Sequence, residues 1–169
     1  MQIGNIHFGK VETAMPPQLN LMEAALTWDL LVGRYKCIRE TQIYHSYAHD
    51  PEWKALLDYG IDFLENQARV LEQQAKMYKL PLPDRPPLDA PLAGSYEMLQ
   101  DRYTFSQVFE GCQSWIDFLA RASRSMVTSD PLRHIMVDFL NSDLALFDKV
   151  VKFGKLKGWL EPSPVFRAN

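Results

Sequence analysis

The chain has 169 residues, 47% of them hydrophobic, and carries 4 Trp, 7 Tyr and 9 Phe, which is enough apolar material for one well-packed domain. A net charge of −3 and a pI near 5.8 exclude a general nucleic-acid-binding surface, which would need clustered excess Lys and Arg. Two cysteines, Cys37 and Cys112, are too few for a disulfide framework and match no metal-ligand spacing.

Residues 1–19 lack a sustained period and contain Gly4, Gly9, Pro16 and Pro17, so they read as an N-terminal arm. A single bundle is expected over 20–160, with helices at about 20–45, 51–78, 95–126 and 131–157 and a short tail over 161–169. Asn20 followed three residues later by Glu23 has the pattern of a capping box. From there Leu21, Ala25, Trp28, Val32, Tyr35 and Ile38 recur at helical spacing. Asp50-Pro51 opens the second helix, the aspartate capping its first turn and proline supplying φ where no donor is needed. Its apolar face carries Trp53, Leu57, Gly60, Phe63, Leu64, Val70 and Leu71, and its outer face carries charges four residues apart.

Residues 80–94 hold five prolines and cannot be helical. The third helix presents Met98, Phe105, Val108, Phe109, Cys112, Trp115, Leu119 and Ala122. A second Asp-Pro, Asp130-Pro131, opens the fourth, which presents Ile135, Phe139, Leu146, Phe147, Val150 and Val151 and ends at Gly158. Lys149, Lys152, Lys155 and Lys157 sit where cations meet the negative end of that helix.

The two Asp-Pro steps are 80 residues apart, and at that offset Asp58 falls on Asp138, Leu64 on Leu144, Val70 on Val150 and Leu80 on Leu160, with Tyr59/Phe139 a similar pair. The chain therefore reads as two related helical hairpins. Short connections make helices 1–2 and 3–4 antiparallel neighbours. A proline-rich segment at ~3.1 Å per residue reaches roughly 45 Å over residues 80–94, and a ~28-residue helix is roughly 42 Å long. The connector can run the length of the bundle. Two hairpins with one long crossover predict an all-α, ferritin-like antiparallel four-helix bundle.

Such bundles build di-metal sites from a Glu on each of two helices and a Glu-x-x-His pair on each of the other two. None of Glu23, Glu40, Glu52, Glu65, Glu72, Glu97, Glu110 or Glu161 has a histidine three positions on. Asp143 falls on the inward face of helix 4 and needs a partner there, with Arg34, Tyr35 and Gln67 as mid-helix candidates. His45 and His49, four apart and followed by Asp50, are an alternative metal grip, and an atypical site of His45, His49, Asp50 and Asp143 is the rival to no metal at all. His7 and His134 have no catalytic spacing, and there is no nucleophile elbow, phosphate loop or dinucleotide fingerprint. A cavity among Trp28, Tyr35, Phe63, Trp115 and Phe139, able to take a small molecule, is a further alternative.

The run Leu21 to Trp28 with Arg34-Tyr35, the Asp50-Pro51 turn, and Ser129-Asp130-Pro131-Leu132-Arg133 followed by Lys157-Gly158-Trp159-Leu160 with Pro162 and Pro164 resemble an uncharacterised ferritin-like family of spore-forming bacteria. Its members are commonly labelled as spore coat proteins, and many carry the unit twice. The resemblance covers nearly the whole chain after the arm. It implies a structural role in or around the spore, without catalytic residues or a required cofactor to carry over.

The expectation is a non-enzymatic protein acting through contacts with other proteins, spore coat components among them, and binding neither nucleic acid nor membrane. With no secretory signal and no apolar run long enough to span a membrane, it is expected in the cytoplasm or associated with the spore. A single copy of a unit that is often doubled predicts a twofold homodimer. Trp159, Phe166, Ile3, Ile6 and Phe8 are the expected contact material.

Overall fold

The structure, a computed structural model, describes residues 2–3, 6–7, 18–85 and 99–161. Four helices carry the fold: α1 (Leu21–Tyr47), α2 (Pro51–Met77), α3 (Asp101–Ser125) and α4 (Asp130–Lys157). In the arm, β1 (Gln2–Ile3) pairs antiparallel with β2 (Ile6–His7), a short ladder that the sequence does not announce. Met98, Phe8 and Phe166 lie outside the described residues.

α1 begins as expected. Asn20 accepts from the Glu23 amide at 2.9 Å, and the Glu23 carboxylate accepts from the Asn20 amide at 3.1 Å. That carboxylate also takes the amides of Thr128 at 2.6 Å and Ser129 at 3.1 Å, so one fully buried glutamate ties the start of α1 to the α3–α4 turn. At the other end of the bundle, Asp101 accepts from the amides of His49 and Asp50. Lys157 reaches both Asp50 and Glu52 at 2.6 Å, joining the end of α4 to the start of α2. The basic run thus supplies a specific ion pair as well as dipole compensation. These contacts put the end of α2 and the start of α3 at opposite ends of the bundle. Two antiparallel hairpins in which the end of α2 and the start of α3 lie a bundle length apart have the ferritin-like arrangement.

Two features depart from the sequence reading. The repeat is real, but its offset is 79, not 80. The caps are Asp50 and Ser129, and the left-handed residues closing α2 and α4 are Lys79 (φ 57°) and Gly158 (φ 67°). Buried positions follow the same offset: Trp53 with Leu132, Leu57 with Met136, Leu64 with Asp143, Leu71 with Val150 and Ala75 with Gly154. At offset 80 buried Leu64 would face Leu144, which is 45% exposed, and exposed Tyr59 would face buried Phe139. Ser129 accepts from the Leu132 amide and caps α4, while Asp130 lies inside the first turn and pairs with Arg133.

The second departure is in α1. Leu21 is 87% and Trp28 39% exposed, whereas the buried face runs through Glu23, Thr27, Leu30, Leu31, Arg34, Ile38 and Thr41. Polar residues with specific partners hold several inward positions, so the apolar letters alone point the first half of the helix the wrong way. Two apolar clusters fill the bundle. The larger, around Leu30, Leu71, Leu119 and Met136, spans all four helices. The smaller, around Trp53, Leu57, Phe105 and Val150, lies where α2 starts and α4 ends.

Candidate functional site

Between the two clusters each helix sends one large polar or aromatic side chain inward: Arg34 from α1, Gln67 from α2, Trp115 from α3 and Asp143 from α4. Arg34 Nη2 donates to Asp143 Oδ1 at 2.8 Å, and Gln67 Nε2 donates to Asp143 Oδ2 at 2.8 Å. Arg34 is 1% exposed, and Gln67 and Asp143 are 5% exposed, so the contact is shielded from water. The guanidinium stacks over Trp115 with Cζ 4.7 Å from the ring centroid, a cation–π contact that also fixes its plane. Trp115 Nε1 donates to Cys37 Sγ at 2.9 Å. The indole lies so close to Gly33 that any Cβ there would collide with it, so that glycine is required by the neighbouring ring.

The sequence names Arg34 and Gln67 as partners of Asp143, and the structure brings all three together. Tyr35, the third candidate, turns away and donates to Glu72 Oε1 at 2.7 Å, and Arg85 approaches the same glutamate. Glu72, one of the charges spaced four apart on the outer face of α2, therefore has two partners. Burial, then the bond to Glu72, raises the Tyr35 phenol to about 12.

His45, His49, Asp50 and Asp143 do not converge. His45 Nε2 lies 2.8 Å from Asp58 Oδ1, without hydrogen-bond alignment. His49 contributes its backbone amide to Asp101, Asp50 caps α2 and meets Lys157, and Asp143 is on Arg34. Among the described residues no group of three or more His, Cys, Asp or Glu is placed to hold a metal ion.

The centre also fails to suit the two metals that ferritin-like bundles commonly hold. Such a pair needs several carboxylates and imidazoles with free lone pairs. Here there is one carboxylate, both of its oxygens already accept hydrogen bonds, and a guanidinium stands beside it. The residues present do not fit the group. Nor do the thiols offer a nucleophile: burial raises Cys37, and burial followed by the nearby Asp143 charge raises Cys112 to about 12, so both stay protonated near neutral pH.

The sequence reading places Trp115 on an apolar helix face and among the aromatics of a candidate cavity, gives Cys37 no metal-ligand spacing, and singles out nothing at Gly33. Their contact depends on the level at which α1 and α3 cross, which no local pattern encodes. Of the five aromatics expected around an internal cavity, Phe63 and Trp115 do line one. Trp28 is partly exposed, Tyr35 is committed to Glu72, and Phe139 packs in the larger cluster. Trp159, expected at a contact between copies, packs on its own bundle against Trp53, Phe105 and Phe153.

No protein-family profile and no curated protein matches this sequence. Among solved structures, a candidate spore coat protein of Bacillus halodurans C-125 superposes with a TM-score of 0.84 at 20% identity, over 89% of this chain and 97% of that one. A two-domain protein of Anabaena variabilis ATCC 29413, containing DJ-1/ThiJ/PfpI-like and ferritin-like domains, superposes with a TM-score of 0.65 at 16% identity. That match covers 87% of this chain and 40% of the other. At these identities the likeness establishes the ferritin-like four-helix fold. Among the described residues no helix is long and apolar enough to cross a membrane.

Proposed function

We propose that this chain is a non-enzymatic, ferritin-like protein of the spore-coat type that acts through contacts with other proteins, a second copy of itself among them. The observation that carries the reading is the Arg34–Asp143–Gln67 contact. It occupies the bundle centre with both oxygens of its one carboxylate already accepting hydrogen bonds, where this fold elsewhere places metal ligands. A guanidinium on a buried carboxylate serves to hold four helices in register, and the protonated thiols beside it add no reactive group. The structural likeness to the Bacillus protein supports the spore-coat assignment and, with it, a place in the cytoplasm or at the spore of a sporulating cell.

Protein purified without added iron and without chelator should contain well under one equivalent of iron or manganese by elemental analysis. Two tightly held equivalents would overturn the reading.

A further inference from the structure

On one side of the Arg34–Asp143 pair the bundle does not close. A cavity of about 180 Å³ lies between the four helices, walled mainly by Trp53, Leu57, Phe63, Val108, Leu146 and Val150. Arg34, Asp143 and the thiols of Cys37 and Cys112 also line it, and half-exposed Glu40 stands where the lining reaches solvent.

Three observations describe an occupant. The first is size: apolar cavities of ~150 Å³ take up benzene, so this one holds a single ring with a short substituent. The second is two bare positions in the wall. Gly60 and Gly111 lie inside α2 and α3, where glycine is the poorest helix former after proline. A Cβ on Gly60 would meet only Thr41 Cγ2 at 3.9 Å, and one on Gly111 would meet nothing within 4 Å. Close packing therefore requires neither glycine, and Thr41 is itself a wall residue, so the vacant Cβ direction of Gly60 lies along the cavity.

The third observation is an unused donor. Arg34 is 1% exposed, yet its Nε–H has no acceptor in the protein. A buried donor left unpaired is costly and rare, and a bound acceptor would satisfy it. The acceptor should be uncharged. Asp143 already balances the guanidinium, and a second anion would sit beside that carboxylate and Glu40 in a low-dielectric site.

We propose that this cavity binds a neutral aromatic molecule of one ring, with a short substituent bearing a single hydrogen-bond-accepting oxygen that takes the Arg34 Nε–H. This goes beyond the protein-contact role and does not depend on it: metal content tests that role, whereas ligand binding is tested separately.

Titration calorimetry with acetophenone, toluene and benzoate separates the terms. A nine-atom ligand is expected to bind with Kd of ~0.1–1 mM. Toluene, lacking the acceptor, and benzoate, carrying charge, should each bind at least about five-fold more weakly. Gly60→Leu should abolish acetophenone binding while Gly60→Ala keeps the fold. In the unmodified protein, acetophenone should shift the methyl resonances of Leu57, Leu146 and Val150 and leave those of Leu132 in place, so the site is mapped even if Gly60→Leu fails to fold. No acetophenone binding at ~10 mM, well above that range, would overturn the proposal. So would toluene or benzoate binding as tightly, methyl shifts elsewhere, or undiminished binding by folded Gly60→Leu.

Discussion

Asp143 has both oxygens committed, one to a guanidinium and one to an amide, and is itself only 5% exposed. Removing one partner of such a pair is far worse than removing both, because the survivor keeps its charge and loses its compensation. Arg34→Met is expected to cost about 3–5 kcal/mol. The double variant Arg34→Met, Asp143→Leu should recover at least about 2 kcal/mol of that loss, although the Gln67 amide is then left without its acceptor. Urea unfolding followed by circular dichroism measures both, and equal losses for the single and double variants would contradict the pairing. Tyr35 gives a pH-dependent counterpart. Its phenol is raised from 10.0 to about 12, by burial and then by the bond to Glu72, so folding favours the protonated form. The contribution is complete below pH 10, the unfolded value, and is lost as pH rises towards about 12. The stability difference between the wild-type chain and Tyr35→Phe should therefore hold steady below pH 10 and shift against the wild type through that window. A difference that stays flat would show that the phenol titrates alike in folded and unfolded chains.

At the scale of the elements, the two Asp-Pro steps look alike and do different things. Asp50 accepts from the amides of Glu52 and Trp53, while one residue before the second step Ser129 does the capping and Asp130 stays outside it. Ser129→Ala should cost about 1–2 kcal/mol through the lost cap and its bond to Tyr78. Asp130→Ala, at an exposed position, should fall within ~0.5 kcal/mol of wild type. The closing turns give a matched pair. The Leu80 amide bonds to Ala75 O at 2.8 Å and the Trp159 amide to Gly154 O at 2.9 Å, each across a left-handed residue. Lys79 holds that conformation with a side chain, so Lys79→Gly should gain about 0.5–1 kcal/mol, and Gly158→Ala should lose about 1 kcal/mol. Thermal unfolding of the two variants should move in opposite directions. The helices themselves were legible because their caps and prolines act within a few residues. The identical Asp-Pro letters and exposed pairs such as Asp58 and Asp138 suggested the wrong offset, because exposed residues do not have to follow the packing register.

For the whole molecule, the assembly prediction remains a twofold homodimer, and its contact surface has to be redrawn. Trp159 belongs to the aromatic cluster of its own bundle, so it is not free to dock on a second copy. The end of the bundle that carries Leu21, Met77 and Val127, exposed at 87%, 60% and 71%, offers apolar surface instead. Light scattering at tens of micromolar protein should return about twice the 19.5 kDa chain mass. A monomeric mass would refute the dimer.

The sequence by itself determined the helices, the capping box at Asn20, the long crossover that follows from five prolines, and the absence of the Glu-x-x-His pattern. These are local or countable properties, fixed by backbone chemistry within a turn or two. It also placed Arg34, Gln67 and Asp143 near mid-helix, so their meeting could be anticipated. Only the tertiary structure decided which side of α1 faces inward, that the repeat runs at 79 residues and not 80, and that His45, His49 and Asp50 are spent on separate partners. Only it could show a cavity beside an unpaired Arg34 donor. Each of these depends on how far one helix slides and turns against another. That is set by the summed packing of side chains distant in sequence, and no single stretch of the chain contains it.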